Sequence, residues 1–560
     1  MRFILTFTLL LAMATPLFAQ ATMASHIRRY EQDRRDFRRF YDLRFSAAHR
    51  ERHLELHRDW MRFMDAIPFK KLTPSERIDW HLLKTEVEYQ LVLEQRDAKK
   101  RASLAEWIPF AARLADLEAA RRRLEPAPPA AAAKSLQGAI KEVEAATKNL
   151  DEKGEATPTW LLSEAARATR ASKRVLDRFY RNLGPYDPNF HWRVKAAYDA
   201  LGSKISDYRE KLTKAADRDG PKALVGVPIG AEALAEDLAH EMLSYDPKGL
   251  IEAATKHEAW CYAEMKKAAN LLGYGDDWRK ALAEKVKTAH VAPGTQDELV
   301  ARQAKEAIAF CDDKNLVTIP SLCRELWHLE MISAEGQKTL PFASYGNLRM
   351  NVAYPTAAMN ESRKVDSMRG NNRHFSRLVT PHELIPGHHL QTYIARRSNT
   401  YRLQFRTPFY IEGWALYGEM LFWHHGFFRT PEEKIGALFW RLHRCARVIV
   451  SLRFHLGEME PKAMVDYLCE CVGLERDGAT AEVRRYIGGV YSPLYQCGYL
   501  IGGLQLWRLR EELVVPKGVS ERAFHDAILK ANSMPIEALR GLLRQQTWDQ
   551  RRRPNWRFNH

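Results

Sequence analysis

The residues best suited to chemistry lie in Thr380-Pro381-His382-Glu383-Leu384-Ile385-Pro386-Gly387-His388-His389-Leu390-Gln391. A His-Glu pair followed closely by further histidines is the pattern of a helix that holds Zn²⁺ and leaves the Glu free to activate water. In the usual spacing the second ligand lies four residues after the first. Here that position is Pro386, which cannot bind metal.

The detour this forces can be worked out. At about 100° per residue, His388 on an ideal helix points roughly 240° away from His382, while His389 returns to the same face about 10.5 Å along the axis. That is too far to share an ion with Zn–N bonds of about 2.1 Å. Pro386 removes a helical N–H, and Gly387 tolerates unusual dihedrals. Together they predict a local bulge that absorbs two residues and returns His388 to the place of a normal ligand. His388 is the expected second ligand and His389 the alternative.

A catalytic zinc has three protein ligands and one open position. The third ligand is expected in Phe409-Tyr410-Ile411-Glu412-Gly413-Trp414-Ala415-Leu416-Tyr417-Gly418-Glu419, which reads as a helix. Glu412 sits on an otherwise apolar segment, and a carboxylate buried there needs a partner or a metal. Glu419 shares its face, as a partner to a ligand or a competing ligand.

These motifs, with Gln496-Cys497-Gly498-Tyr499-Leu500-Ile501-Gly502 further on, resemble the bacterial "domain of unknown function 885" family. That family is in turn similar to the thimet-oligopeptidase and thermostable-carboxypeptidase branch of the gluzincin metallopeptidases. The resemblance implies a mostly helical, two-lobed peptidase with one zinc ion in a deep cleft. Carried over by position, it makes His382, His388 and Glu412 the ligands and Glu383 the base. Tyr499 resembles the tyrosine on the late helix of thimet-type peptidases and is the first choice as donor to the oxyanion. Tyr491 and Tyr495 follow it. Arg485 is a candidate fork for a substrate carboxylate. Gluzincins also bind extended substrate along a sheet edge. The segment Ser344 to Tyr354, which partly alternates like a strand, would serve here through Asn347, Arg349 and Asn351.

The elements that must position these groups are mainly helical. Phe37-Phe40-Leu43 and Trp80-Leu83-Val87-Leu91 show apolar residues at three- and four-residue steps. The expected division is a helical N-terminal region over 22–312 and a catalytic region over 313–560, the latter with a small sheet for which Leu316-Val317-Thr318-Ile319 is a candidate strand. Residues 1–21 read as a secretory signal peptide: Met1-Arg2, an apolar run from Phe3 to Phe18, then small residues. This predicts a periplasmic or secreted protein with no membrane insertion once the signal is removed.

The chain has 560 residues, 46% of them hydrophobic, enough for a large core. Its formal charge of +16 is spread along the sequence, with neither interleaved aromatics nor a recognisable nucleic-acid module, so nucleic acid is not an expected partner. The expected partner is a peptide substrate, and the motifs set no oligomeric state. The expected function is an exported zinc metallopeptidase acting on oligopeptides by metal-activated water. A zinc hydrolase of another amide bond, or a catalytically inactive peptide-binding protein, are the competing readings.

Overall fold

The computed structural model describes residues 22–558 apart from 219, 221, 222, 339 and 341, so the signal-peptide reading lies outside the described residues. The chain is mainly helical with one small sheet. Five of its helices start by the same local rule, a Thr or Asp cap followed by proline: Thr73-Pro74, Asp187-Pro188, Asp246-Pro247, Thr407-Pro408 and Thr430-Pro431. In each, the cap side chain accepts a hydrogen bond from a backbone N–H of the first turn, while proline lacks the N–H that would have no partner there.

Apolar side chains gather into two large cores. One is confined to residues between Leu104 and Leu212, inside the helices Phe110–Arg122, Pro129–Lys153, Thr159–Leu183 and Pro188–Ala216. The other runs from Met23 to Phe558 and crosses residue 312 without a break: Leu82, Met265, Leu390 and Leu500 all belong to it. Among the described residues no helix is long and apolar enough to cross a membrane.

The sheet has strands β1 (His328–Met331), β2 (Ala343–Gly346) and β3 (Arg349–Val352), in the order β1-β3-β2. β3 is parallel to β1 and antiparallel to β2. Leu316 to Ile319 form no strand; Thr318 instead bonds Asp526 through its backbone N–H and its hydroxyl. The segment expected as one strand is a hairpin, turned at Asn347 and Leu348 with φ of 51° and 66°. Two consecutive left-handed residues match the twist that a tight hairpin demands.

Two helices that meet beside the sheet, Pro408–His424 and Tyr495–Lys517, are packed backbone to backbone. A Cβ on Gly502 would lie 2.0 Å from the carbonyl oxygen of Phe409, and one on Gly413 would lie 2.7 Å from Gly502. Side chains at these positions would push the helices apart, so the glycines set how closely the tyrosines of one helix approach the glutamates of the other.

Candidate metal centre

His382 and Glu383 end the helix Arg373–Glu383, which Asn372 caps through bonds from the N–H groups of His374 and Phe375. The helix does not bulge as expected but stops. Leu384 leaves helical space at φ −103°, ψ −101°, the Ile385–Pro386 peptide is cis, and a new helix, His388–Ala395, begins after Gly387. The N–H of Gly387 donates to the Pro381 carbonyl at 3.0 Å. A Cβ on Gly387 would stand 1.8 Å from the carbonyl oxygen of His382, so only glycine fits this turn. Trp414 ties the turn to the glutamate-bearing helix by donating to the carbonyl of Pro386 at 2.8 Å.

The break turns the two histidines towards one carboxylate. His388 Nε2 lies 3.2 Å from Glu412 Oε2, and His382 Nε2 lies 3.7 Å from the same oxygen. Three donor atoms, one each from His382, His388 and Glu412, all fall within 4.8 Å of one another. A tetrahedral ion with bonds of about 2.1 Å separates its ligand atoms by about 3.4 Å, so the observed spacings bracket the fit. Two imidazoles and a carboxylate are also the donor types that zinc takes.

His389 is not part of this group. It is fully buried, its Nε2 is 2.8 Å from the carbonyl of Cys323 and its Nδ1 is 3.0 Å from the Tyr345 hydroxyl. Both nitrogens are engaged, and the residue links the metal helix to β2. Glu419 does not compete for the centre either. Its Oε1 is 2.7 Å from His382 Nδ1 and 3.3 Å from Arg444, which fixes the imidazole with Nε2 facing Glu412.

The electrostatics follow from this geometry. Burial opposes a proton on His382, but the carboxylates of Glu412, Glu419 and Glu383 outweigh it and push the group up to about 9. Burial likewise opposes ionisation of Glu412, yet His388 and His382 hold it well below the usual carboxylate range. Glu419 is lowered against its burial by Arg444 and His382. A pocket that concentrates negative charge in this way favours a cation. Glu383 is 8% exposed, and its carboxylate has no hydrogen bond among the described residues.

The three tyrosines divide their tasks. Tyr495 donates its hydroxyl to Glu412 Oε1 and so works on a candidate ligand. Tyr499 lies nearly parallel to His382, with ring centroids 6.2 Å apart, beneath the guanidinium groups of Arg447 and Arg444. Its hydroxyl makes no hydrogen bond among the described residues. Tyr491 packs on Tyr495 and lines a cavity of about 940 Å³ that also touches Trp160, His455 and the Gly488-Gly489 loop. Arg485 already bonds Glu482 at 2.8 Å, and Arg447 shares that fully buried carboxylate. The Arg444, Arg447 and Glu482 group escaped the sequence reading. Part of its signal is in the sequence: Arg444 and Arg447, one turn apart, sit among Leu442, Ala446, Val448 and Ile449 on the helix Pro431–His455.

The expected peptide-binding residues need correction. β3, which carries Arg349 and Asn351, is the central strand and is paired on both sides, so it has no free edge for strand addition. Arg349 pairs with Glu330 at 2.7 Å, Asn351 bonds Ser344, and Asn347 forms the turn. The outer strands are β1 and β2, and Tyr345 on β2 joins that strand to His389.

A mainly helical body with a His-His-Glu centre on broken and facing helices defines the class of molecule. The chain belongs to the family described as "Bacterial protein of unknown function (DUF885)", whose model matches residues 31–543. No curated protein matches it. Its fold is similar to a solved structure from Shewanella oneidensis, described as a "putative lipoprotein of unknown function", at 20% identity and a TM-score of 0.67. That match covers 93% of this chain and 100% of the other. A "putative lipoprotein" from Colwellia psychrerythraea is similar at 15% identity and a TM-score of 0.58, over 94% of this chain and 99% of the other.

Proposed function

We propose that this protein is an exported, zinc-dependent peptidase that hydrolyses peptide bonds of oligopeptides. The observation that carries the reading is the convergence of His382, His388 and Glu412 beside Glu383, a carboxylate that makes no hydrogen bond or ion pair among the described residues. One zinc ion, when bound there, would supply Lewis acidity, polarising a carbonyl and lowering the pKa of water. Glu383 accepts a proton from the attacking water and passes it to the leaving amine. Glu419 holds Nδ1 of His382 so that Nε2 stays directed at the centre, and Tyr495 orients Glu412. Tyr499 offers its hydroxyl to the developing oxyanion.

The likeness of these motifs to the thimet-oligopeptidase and thermostable-carboxypeptidase branch of the gluzincins supports oligopeptides as substrates and a cleft between two lobes. The cavity beside Tyr491, whose ring packs on Tyr495, has room for a short peptide. Export is supported by the leader-like N-terminus and by the lipoprotein descriptions of both similar structures. The test is zinc content of the purified mature protein, wild type beside His382→Ala, followed by a peptide-library screen. Loss of one zinc ion per chain in the variant, with cleavage by the wild type, is the expected result. No zinc in the wild type after zinc is supplied overturns the reading.

A further inference from the structure

Far along the sequence from the centre, a second group of metal-binding side chains joins two N-terminal helices. His53 and His57 stand one turn apart on the helix Ala47–Ala66, and Glu94 faces them from the helix Pro74–Leu104. We infer that His53, His57 and Glu94 form a second site for a zinc-class divalent cation, one that clamps these two helices together. The inference does not depend on the peptidase reading.

Five observations carry it. One donor atom from each residue lies within 4.8 Å of the others. Residues four apart on a helix project from one face, so both imidazoles can reach a single ion. His53 Nδ1 is 3.7 Å from Glu94 Oε1, too long for a hydrogen bond yet close to the roughly 3.4 Å edge of a tetrahedral zinc site. His53 is 7% exposed, and among the described residues its buried Nε2 has no hydrogen-bond partner. His57 is 2% exposed, and its Nδ1 meets the Tyr30 hydroxyl at 3.3 Å, a contact that orients the ring as a ligand's outer partner does.

The charge state suits ligation. Burial, with His53 and Arg34 adding to it, pulls His57 down to about 4, and burial also lowers His53. A neutral imidazole is the form that binds metal, and burial favours that form at both positions. His49 lies beside His53, but its Nδ1 is engaged by the carbonyl of Tyr41, so it stays outside the group. Arg38 and Arg101, which help keep His53 neutral, also repel a cation. The second site therefore binds more weakly than the centre at His382, where carboxylates surround the ligands.

Zinc per chain in the full mature protein, measured by mass spectrometry after equilibration with excess zinc and gel filtration, tests this. The wild type should carry about two zinc ions and the His382→Ala/His388→Ala protein about one. Adding His57→Gln to that double variant should remove the remaining ion, and Glu94→Gln is the alternative where His57→Gln does not fold. His57→Gln alone should leave one zinc and full peptide cleavage. If the double variant carries no zinc, or if its zinc survives both His57→Gln and Glu94→Gln, the inference is overturned. Zinc that depends on His57 but not on His382 would uphold it while removing the basis of the peptidase proposal.

Discussion

The two His-His-Glu groups of this chain share ligand types and differ in what stands behind them. At the first, two of the three side chains have company: Glu419 and Arg444 behind His382, and the Tyr495 hydroxyl on Glu412. Glu383 adds a carboxylate with no described partner, and Tyr499 a hydroxyl in the same condition. At the second, the one hydrogen bond of His57 among the described residues is to the Tyr30 hydroxyl, His53 Nε2 has no described hydrogen-bond partner, and arginines lie nearby. On the inferred reading of the second group, ligands alone would suffice to clamp two helices. Chemistry needs a proton carrier and donors held ready around them.

The contrast can be broken or sharpened by mutation. The largest expected effect is that of Glu383→Gln, which should retain zinc and lower the cleavage rate by about 10²–10⁴-fold. Steady-state kinetics beside metal analysis read both quantities, and a variant that keeps its rate would put the first centre on a level with the second. Tyr499→Phe should lower kcat by about 10²-fold with little change in KM, because its hydroxyl acts on charge that develops in the transition state. A change in KM alone would assign Tyr499 to packing against His382.

Smaller effects are expected behind the ligands. Glu419→Gln should weaken zinc binding by about 10–100-fold, measured by competition with a chromogenic chelator. Equal affinity in the variant would mean that the buried carboxylate does not prepare His382. His389→Ala should keep full zinc occupancy and lose about 2 kcal/mol of unfolding free energy, since it strips two buried partners of their hydrogen bonds. Denaturant unfolding, together with metal content, separates that result from a ligand's behaviour.

That His382, His388 and Glu412 would lie together was legible in the sequence, because residue type and spacing point to them. His382, Glu383, His388 and Glu412 follow from the His-Glu pair, the Pro-Gly interruption and the carboxylate on an apolar helix. The interruption itself was misjudged. A bulge and a break both satisfy Pro386 and Gly387, and the approach of Gly387 to the carbonyl of His382 belongs to the break. The helix starts were equally local, fixed by Thr-Pro and Asp-Pro pairs. The strand order was not. β-favouring residues at Leu316 to Ile319 stay out of the sheet, and Arg349 and Asn351 fall on its central strand.

The sequence by itself determined the types and order of the candidate ligands, and the need for an interruption between the two histidines. Those properties depend on side-chain chemistry and on dihedral preferences within a few residues. Only the tertiary structure decided that His388 faces Glu412 while His389 turns to Cys323 and Tyr345. It alone brought Tyr495 and Tyr499 over the centre, and it alone set Glu94 opposite His53. The reason is physical: where a side chain points across a helix interface is set by the packing of segments far apart in the chain. Here glycine-to-glycine contact between Gly413 and Gly502 fixes that packing, and no local pattern specifies it.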